Sequence, residues 1–177
     1  MSLRELTKEL VESVDNCLNG CKSTKDFQTS RVYKYHADLN EKMIKPEKAT
    51  EVVKRLDRLW RIRTIPLFPD KWEKDEGYGW ALSKRKAAIQ LPPTLMTTSY
   101  VIHEHSHGVV ESFRNFFNQS ANIREPGHGP LFCGVMAFNL YWITGRSYLD
   151  IVEDMRYYSL RVLDKDSVLT FKRIFKS

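Results

Sequence analysis

The chain has 177 residues, which is enough for one domain with its own hydrophobic core. Its apolar content of 42% and aromatic content of 12% are typical of a globular protein and exclude a wholly disordered chain. No apolar run approaches the roughly 20 residues that cross a bilayer, and the charged N-terminus differs from a secretory signal. We therefore expect an intracellular, cytoplasmic protein with no membrane partner.

The net charge of +6 is compatible with contact with nucleic acid, and the basic residues include a cluster at 84–86. No recognisable nucleic-acid-binding motif accompanies this charge, so nucleic acid is a candidate partner on charge alone. The three cysteines, Cys17, Cys21 and Cys133, are too few for a disulfide framework. We expect Cys17 and Cys21 to be reduced thiols.

Residues 1–60 are predicted to be mostly helical. Apolar residues recur at helical spacing from Leu3 to Leu18 and predict a first helix that ends near Gly20. Residues 32–36 fit a short helix or a short strand. Pro46 then opens a basic helix that runs to about Trp60, with an apolar stripe that we expect to face the core.

The pattern changes at Arg61, where apolar and polar residues alternate and predict a strand that ends at Pro66 or soon after. Residues 77–82 and 87–91 also have the composition of strands. The basic turn at residues 83–86 joins them into a predicted hairpin. A helix follows, with Thr94 or Thr97 near its N-cap.

This next helix carries the sequence His-Glu-x-x-His, which is the form of a zinc site with a built-in general base. Residues four apart lie on one face of a helix, so His103 and His107 can bind one metal ion. Glu104 lies beside the first ligand and can act on a metal-bound water without binding the metal itself. The chemistry of this arrangement is metal-assisted hydrolysis.

His103, His105 and His107 would share one face if this segment were a strand. Residues 97–118, however, contain no proline and a single glycine, and their bulky apolar residues recur at helical spacing. A helix places His105 about 200° from His103, because each residue turns the helix by about 100°. We expect His105 to pack in the interior or to support the ligands by hydrogen bonding.

A second apolar helix is predicted from Pro130 to Gly145, which suit its first turn and its C-terminal stop. Ser147 is expected to cap a helix from Tyr148 to about residue 163, and a short helix follows from Asp166 to the end. The element order, helices followed by a small sheet and further helices, predicts an α+β fold.

A catalytic zinc ion is usually held by three protein ligands and keeps a fourth position for water. His128 is the only histidine downstream of His107. Glu125 is the alternative third ligand, since a carboxylate would complete a site of two histidines and one glutamate. Glu111 lies one turn beyond His107 and suits a hydrogen bond better, because one straight helix cannot supply three tetrahedral ligands.

The two motifs together, His-Glu-x-x-His and His-Gly-Pro-x-Phe at residues 128–132, resemble those of the SprT-like (Spartan-type) zinc metallopeptidases. The resemblance covers about residues 77–145. It implies His103, His107 and His128 as ligands of Zn²⁺ and Glu104 as the general base. It also implies a small zincin-like metallopeptidase domain. In such a domain, helices surround a small antiparallel sheet, and the edge strand lines the substrate cleft beside an active-site helix.

The sequence departs from the family in two places. Residues 118–127 look like an insertion between the motifs, and the zinc ribbon of some members is absent. We expect a single SprT-like metallopeptidase domain at residues 1–177. Its parts are an N-terminal helical part at 1–60, a sheet and zinc-site core at 61–145, and C-terminal helices at 146–177.

The predicted function is a zinc metalloendopeptidase acting on a protein or peptide substrate. In this mechanism Glu104 activates a zinc-bound water and then protonates the leaving amine. The alternative is a non-catalytic zinc-containing binding module, including one directed to nucleic acid.

Overall fold

A computed structural model describes residues 2–18, 28–69, 77–116 and 127–177 of the chain. Within these ranges the fold is a mixture of α-helices and one small sheet. In chain order the elements are α1 (Leu3–Leu18), α2 (Thr29–Asp38), α3 (Pro46–Trp60), β1 (Arg63–Leu67), β2 (Tyr78–Ser83), β3 (Lys86–Gln90), α4 (Thr98–Phe116), α5 (Pro130–Thr144), α6 (Tyr148–Tyr157) and α7 (Lys165–Lys176).

The chain divides into two compact units. One unit is a continuous segment, Leu39–Phe117, which carries α3, the sheet and α4. The other combines Met1–Asp38 with Asn118–Ser177 and carries the remaining helices. The described part of the chain has no helix that is long and apolar enough to cross a membrane.

The sheet in the continuous unit has the strand order β1-β3-β2. β2 and β3 form the predicted antiparallel hairpin, with Trp80 opposite Ala88. β1, however, pairs with β3 in parallel, with Ile65 opposite Ala88, so the expectation of an antiparallel sheet is wrong for this pair. Apolar alternation along a strand determines which side chains face the core, but it carries no information about strand direction.

The core of the continuous unit forms where α3 and α4 pack with the sheet. The apolar stripe of α3 is buried as predicted, and β3 and α4 bury their apolar residues as well. Leu56, Ile89 and Phe113 are fully buried. Burial of one such side chain contributes about 1.5–3 kcal/mol to stability, so this core determines where α4 lies.

The core of the other unit is built around α5, whose residues from Pro130 to Leu140 are all buried. The predicted bounds of this helix are confirmed, since Pro130 lies in its first turn and Gly145 ends it with a φ of 74°. The predicted first helix is confirmed as α1. Residues 32–36, which fitted a helix or a strand, lie in the helix α2.

The helix α6 is shorter than predicted, because it ends at Tyr157 instead of near residue 163. The chain turns at Ser159, which has a φ of 56°, and residues 160–164 form no helix. Leu160 and Leu163 are nevertheless buried. The apolar residues of this irregular segment are present because they are buried, and in the sequence they looked like the continuation of the helix.

Candidate metal centre

The His-Glu-x-x-His motif lies within a helix, as predicted. α4 begins immediately after Thr97, whose Oγ1 accepts a hydrogen bond of 3.2 Å from the backbone N–H of Tyr100. The carboxylate of Glu41 accepts a second one, of 2.7 Å, from the N–H of Ser99. These bonds satisfy N–H groups that have no partner within the helix, and they fix its start one turn before the motif.

His103 and His107 direct the same ring nitrogen to the same place. Their Nε2 atoms are 3.1 Å apart, and their ring centroids are 4.8 Å apart with the planes at 69°. The ring of Tyr100 stacks on His103 with centroids 5.8 Å apart and the planes at 8°. His103 is fully buried, so its ring has a fixed position.

His128 lies just before α5 and is 7% exposed. The ring of Phe132 meets it edge-on, with centroids 4.9 Å apart. The three histidines His103, His107 and His128 form a group that could hold a metal ion, since their ligand atoms all lie within 4.8 Å of one another.

The donor atoms of this group fit a metal ion. Two nitrogens bound to one tetrahedral zinc ion at about 2.0–2.1 Å would be separated by about 3.3 Å, close to the 3.1 Å between His103 and His107. Imidazole nitrogen suits zinc, copper, iron and nickel better than it suits magnesium or calcium. The donor set therefore favours a transition metal or zinc.

Glu104 has a buried carboxyl group beside the histidine pair. The residue is 1% exposed, and its Oε1 lies 3.9 Å from Nε2 of His103. Burial raises the pKa of Glu104 to about 8, with a further rise from Glu111, while a hydrogen bond with Tyr100 opposes the shift. Among the described residues Oε1 has no hydrogen-bond partner, so one acceptor atom faces the site unused.

Two glycines let β2 lie directly against the helix α4. A Cβ atom at Gly79 would stand 2.0 Å from the carbonyl oxygen of Glu104 and 3.0 Å from Cβ of His107. One at Gly77 would stand 2.9 Å from Oε1 of Glu104. The backbone N–H of Gly77 also donates a hydrogen bond of 3.0 Å to the hydroxyl of Tyr100. The sequence alone did not indicate a role for these glycines.

His105 has a structural role in the continuous unit, as its position on the helix predicted. Its Nε2 lies 3.0 Å from Oδ1 of Asp57 on α3. The same carboxylate accepts hydrogen bonds of 2.8 and 2.7 Å from the N–H and hydroxyl of Thr64 on β1. His105 therefore connects α4 with α3 and β1, and it is not one of the three histidines of the candidate metal group.

Glu111 contacts the edge of the sheet. Its Oε2 accepts a hydrogen bond of 3.3 Å from the backbone N–H of Ala81 on β2. Burial raises the pKa of Glu111, and this hydrogen bond and Arg114 oppose the shift. Glu111 therefore makes a hydrogen bond, but its partner is the backbone of β2, and its predicted support of the metal ligands stays a prediction.

Several sequence-based expectations fall outside the described residues. Glu125, the alternative third ligand, is one of them, and so are Gly20 and Cys21. The apparent insertion between the motifs also lies there, except for Gly127.

The contacts that α2 makes with His128 were not predicted from the sequence. The hydroxyl of Thr29 lies 3.2 Å from Nδ1 of His128. The ring of Tyr33 meets the imidazole edge-on, with ring centroids 6.0 Å apart. The side-chain amide of Gln28 donates a hydrogen bond of 2.5 Å to the carbonyl of His128. About 100 residues separate these partners in sequence, so no local pattern could have indicated them.

The chain was compared with protein-family models, with curated proteins and with solved structures, and none of the three comparisons gave a match. The chemistry of the histidine group and Glu104 is therefore the basis for assigning a function.

Proposed function

We propose that the protein is a zinc-dependent metallopeptidase related to the SprT-like family. The observation that carries the proposal is the group of three histidines, His103, His107 and His128, with the buried carboxyl group of Glu104 beside it. A catalytic zinc ion typically uses three protein ligands and a separate general base. The resemblance to the two family motifs assigns the same roles to the same residues.

Zinc would be held by the three imidazole rings, and when bound it supplies a Lewis acid for a carbonyl group and lowers the pKa of a water molecule to about 7. Glu104 takes the proton from the attacking water and delivers it to the leaving amine. Its raised pKa belongs to the site without metal. A nearby cation favours the charged carboxylate, which is the form that a general base requires.

The peptide substrate is proposed to bind along β2. This strand lies at the edge of the sheet order β1-β3-β2, and Gly79 within it and Gly77 just before it lie against α4. An extended peptide can add to such an edge through backbone hydrogen bonds, whatever its side chains, at the positions other than the N–H groups of Ala81 and Gly77, which are bonded to Glu111 and Tyr100. β2 would thereby hold the scissile bond close to the helix that carries Glu104.

Replacing the general base tests the mechanism. The variant Glu104→Gln keeps the shape of the side chain but cannot accept a proton, so it should bind zinc as the parent does. We expect it to lower the rate of cleavage of an unfolded protein substrate by at least about 100-fold. The rate is measured with the zinc-loaded protein by the release of fluorescent peptides.

Glu153→Gln is the matched control, because Glu153 is exposed on α6 and should tolerate the same exchange without loss of rate. Equal cleavage by Glu104→Gln and the parent would contradict the mechanism. Zinc binding without any cleavage by the parent would instead favour the non-catalytic binding module. A metal with four protein ligands is expected in that case.

A further inference from the structure

We propose that Thr29 and Gln28, at the start of α2, are positioning residues that hold His128 in the orientation required of a metal ligand. The proposal rests on the proposed function, because it assigns His128 to the metal site. It adds two residues for which neither the motifs nor the family resemblance gives a role.

Thr29 contacts the imidazole ring of His128 directly. The hydroxyl of Thr29 lies 3.2 Å from Nδ1 of His128. When Nδ1 carries the proton and donates to this hydroxyl, Nε2 carries the lone pair that a metal ion requires. Metal-binding histidines usually donate their other ring N–H to a carboxylate, a backbone carbonyl or a water, which fixes both the tautomer and the ring orientation, and the Thr29 hydroxyl can accept the same hydrogen bond.

One face of α2 contacts His128. Thr29 and Tyr33 are one helical turn apart and therefore lie on the same face. Both contact the same imidazole: the ring of Tyr33 meets that of His128 with centroids 6.0 Å apart and the planes at 62°. Phe132 contacts the ring from α5 at 4.9 Å. The ring is therefore held by a hydrogen bond and by two aromatic contacts.

Gln28 holds the backbone of His128. Gln28 is completely buried, and its amide nitrogen donates a hydrogen bond of 2.5 Å to the carbonyl of His128. Its amide oxygen accepts one of 2.5 Å from the backbone N–H of Arg161. A buried amide that bonds two distant backbone segments fixes the segment before α5, because each lost bond would leave a buried polar group unsatisfied. Thr29 thus orients the ring while Gln28 holds its backbone.

The test measures metal binding, independently of hydrolysis. Thr29→Val keeps the shape of the side chain and removes the hydroxyl, and Thr29→Ser restores it. Zinc affinity is measured by competition with a chromogenic chelator, and the coordination of Co²⁺ is followed by its visible absorption. We expect Thr29→Val to bind zinc about 10–100-fold more weakly and to change the Co²⁺ spectrum. Thr29→Ser should remain close to the parent in both measurements.

Thr50→Val is the control for placing valine in the first turns of a helix. The hydroxyl of Thr50 bonds only to the carbonyl of Pro46 in its own helix among the hydrogen bonds of the described residues, so zinc affinity should not change. Unfolding of each variant without metal identifies any general loss of stability. Gln28→Glu provides a second variant of nearly the same size. It replaces the donor to the carbonyl of His128 with an acceptor and should also weaken zinc binding.

The outcomes separate this inference from the proposed function. Zinc binding by Thr29→Val and Gln28→Glu that equals the parent's would overturn the positioning role and leave the peptidase proposal intact. A parent that binds zinc but cleaves no protein would refute the peptidase proposal and leave the positioning role testable by affinity. A parent that binds no zinc would overturn both.

Discussion

At the scale of single residues, Glu104 makes the metal-free protein sensitive to pH. Burial raises the pKa of its carboxyl group from 4.5 to about 8. Between these two values the folded protein keeps a proton that the unfolded chain has released. The folded state therefore becomes less stable as the pH rises through this window, because the stability change follows the difference in bound protons.

We expect Glu104→Gln to remove this dependence. In the presence of a chelator, the variant and the parent should have similar unfolding free energies near pH 4.5. At pH 9 the variant should be the more stable one, by roughly 3–5 kcal/mol from the pKa difference. Urea denaturation at both pH values measures the difference. Parallel pH profiles for the two proteins would show that Glu104 ionises normally in the folded state.

The sequence predicted part of the candidate site from local spacing alone. Residues four apart on a helix placed His103 and His107 together and separated His105 from them, and the structure agrees. The residues that contact His128 could not be predicted in this way, because Thr29 precedes it by 99 residues. Helical periodicity carries information over a few turns only, whereas such contacts depend on the whole fold.

At the scale of elements, the contact of β2 with α4 allows no side chain at Gly79. An added Cβ would stand 2.0 Å from the carbonyl oxygen of Glu104, which is helix backbone and cannot rotate away. We expect Gly79→Ala to destabilise the protein by about 1–3 kcal/mol, the usual cost of overpacking. It should also weaken zinc binding, because the clash involves Cβ of His107. Chemical denaturation and chelator competition measure the two effects.

Leu82→Ala on the same strand is the control for this prediction. Leu82 is 45% exposed, so its truncation should cost much less than the change at Gly79. A Gly79→Ala protein as stable as the parent would mean that β2 does not lie against α4 in solution.

Elements were easier to predict than their pairing and their ends. The hairpin of β2 and β3 followed from two strand-like segments joined by a short turn. The parallel pairing of β1 with β3 did not, since side-chain alternation is the same for either direction. The early end of α6 was also hidden, because Leu160 and Leu163 are buried without being helical.

At the scale of the whole molecule, the net charge of +6 makes nucleic acid a candidate partner on charge alone, and any such binding should weaken as the salt concentration rises. Lys84 and Lys86 are exposed beside the turn between β2 and β3. Arg85 between them is half-buried. Within this basic cluster the two lysines are therefore the better candidates for phosphate contacts.

We expect the double variant Lys84→Gln/Lys86→Gln to reduce the slope of log K against log salt by about 1.4, since each lost contact with a single-stranded phosphate backbone changes it by about 0.7. Fluorescence anisotropy with a single-stranded oligonucleotide at several salt concentrations measures the slope. Lys42→Gln/Lys45→Gln removes the same charge from two other exposed lysines and serves as the control. Equal losses in both variants would show that net charge alone, and no particular surface, attracts the nucleic acid.

The division of the chain into one continuous and one discontinuous unit has a consequence for the order of folding. Residues 39–117 can pack together as soon as they have been synthesised, whereas the other unit needs both ends of the chain. The hydrogen bond from the N–H of Arg161 to Gln28 joins residues that are 133 positions apart in the sequence. Contacts that close such long loops form late and slow folding. The histidine pair on α4 is thus expected to form before His128 gains its contacts with Gln28 and Thr29, because the pair needs only the continuous unit.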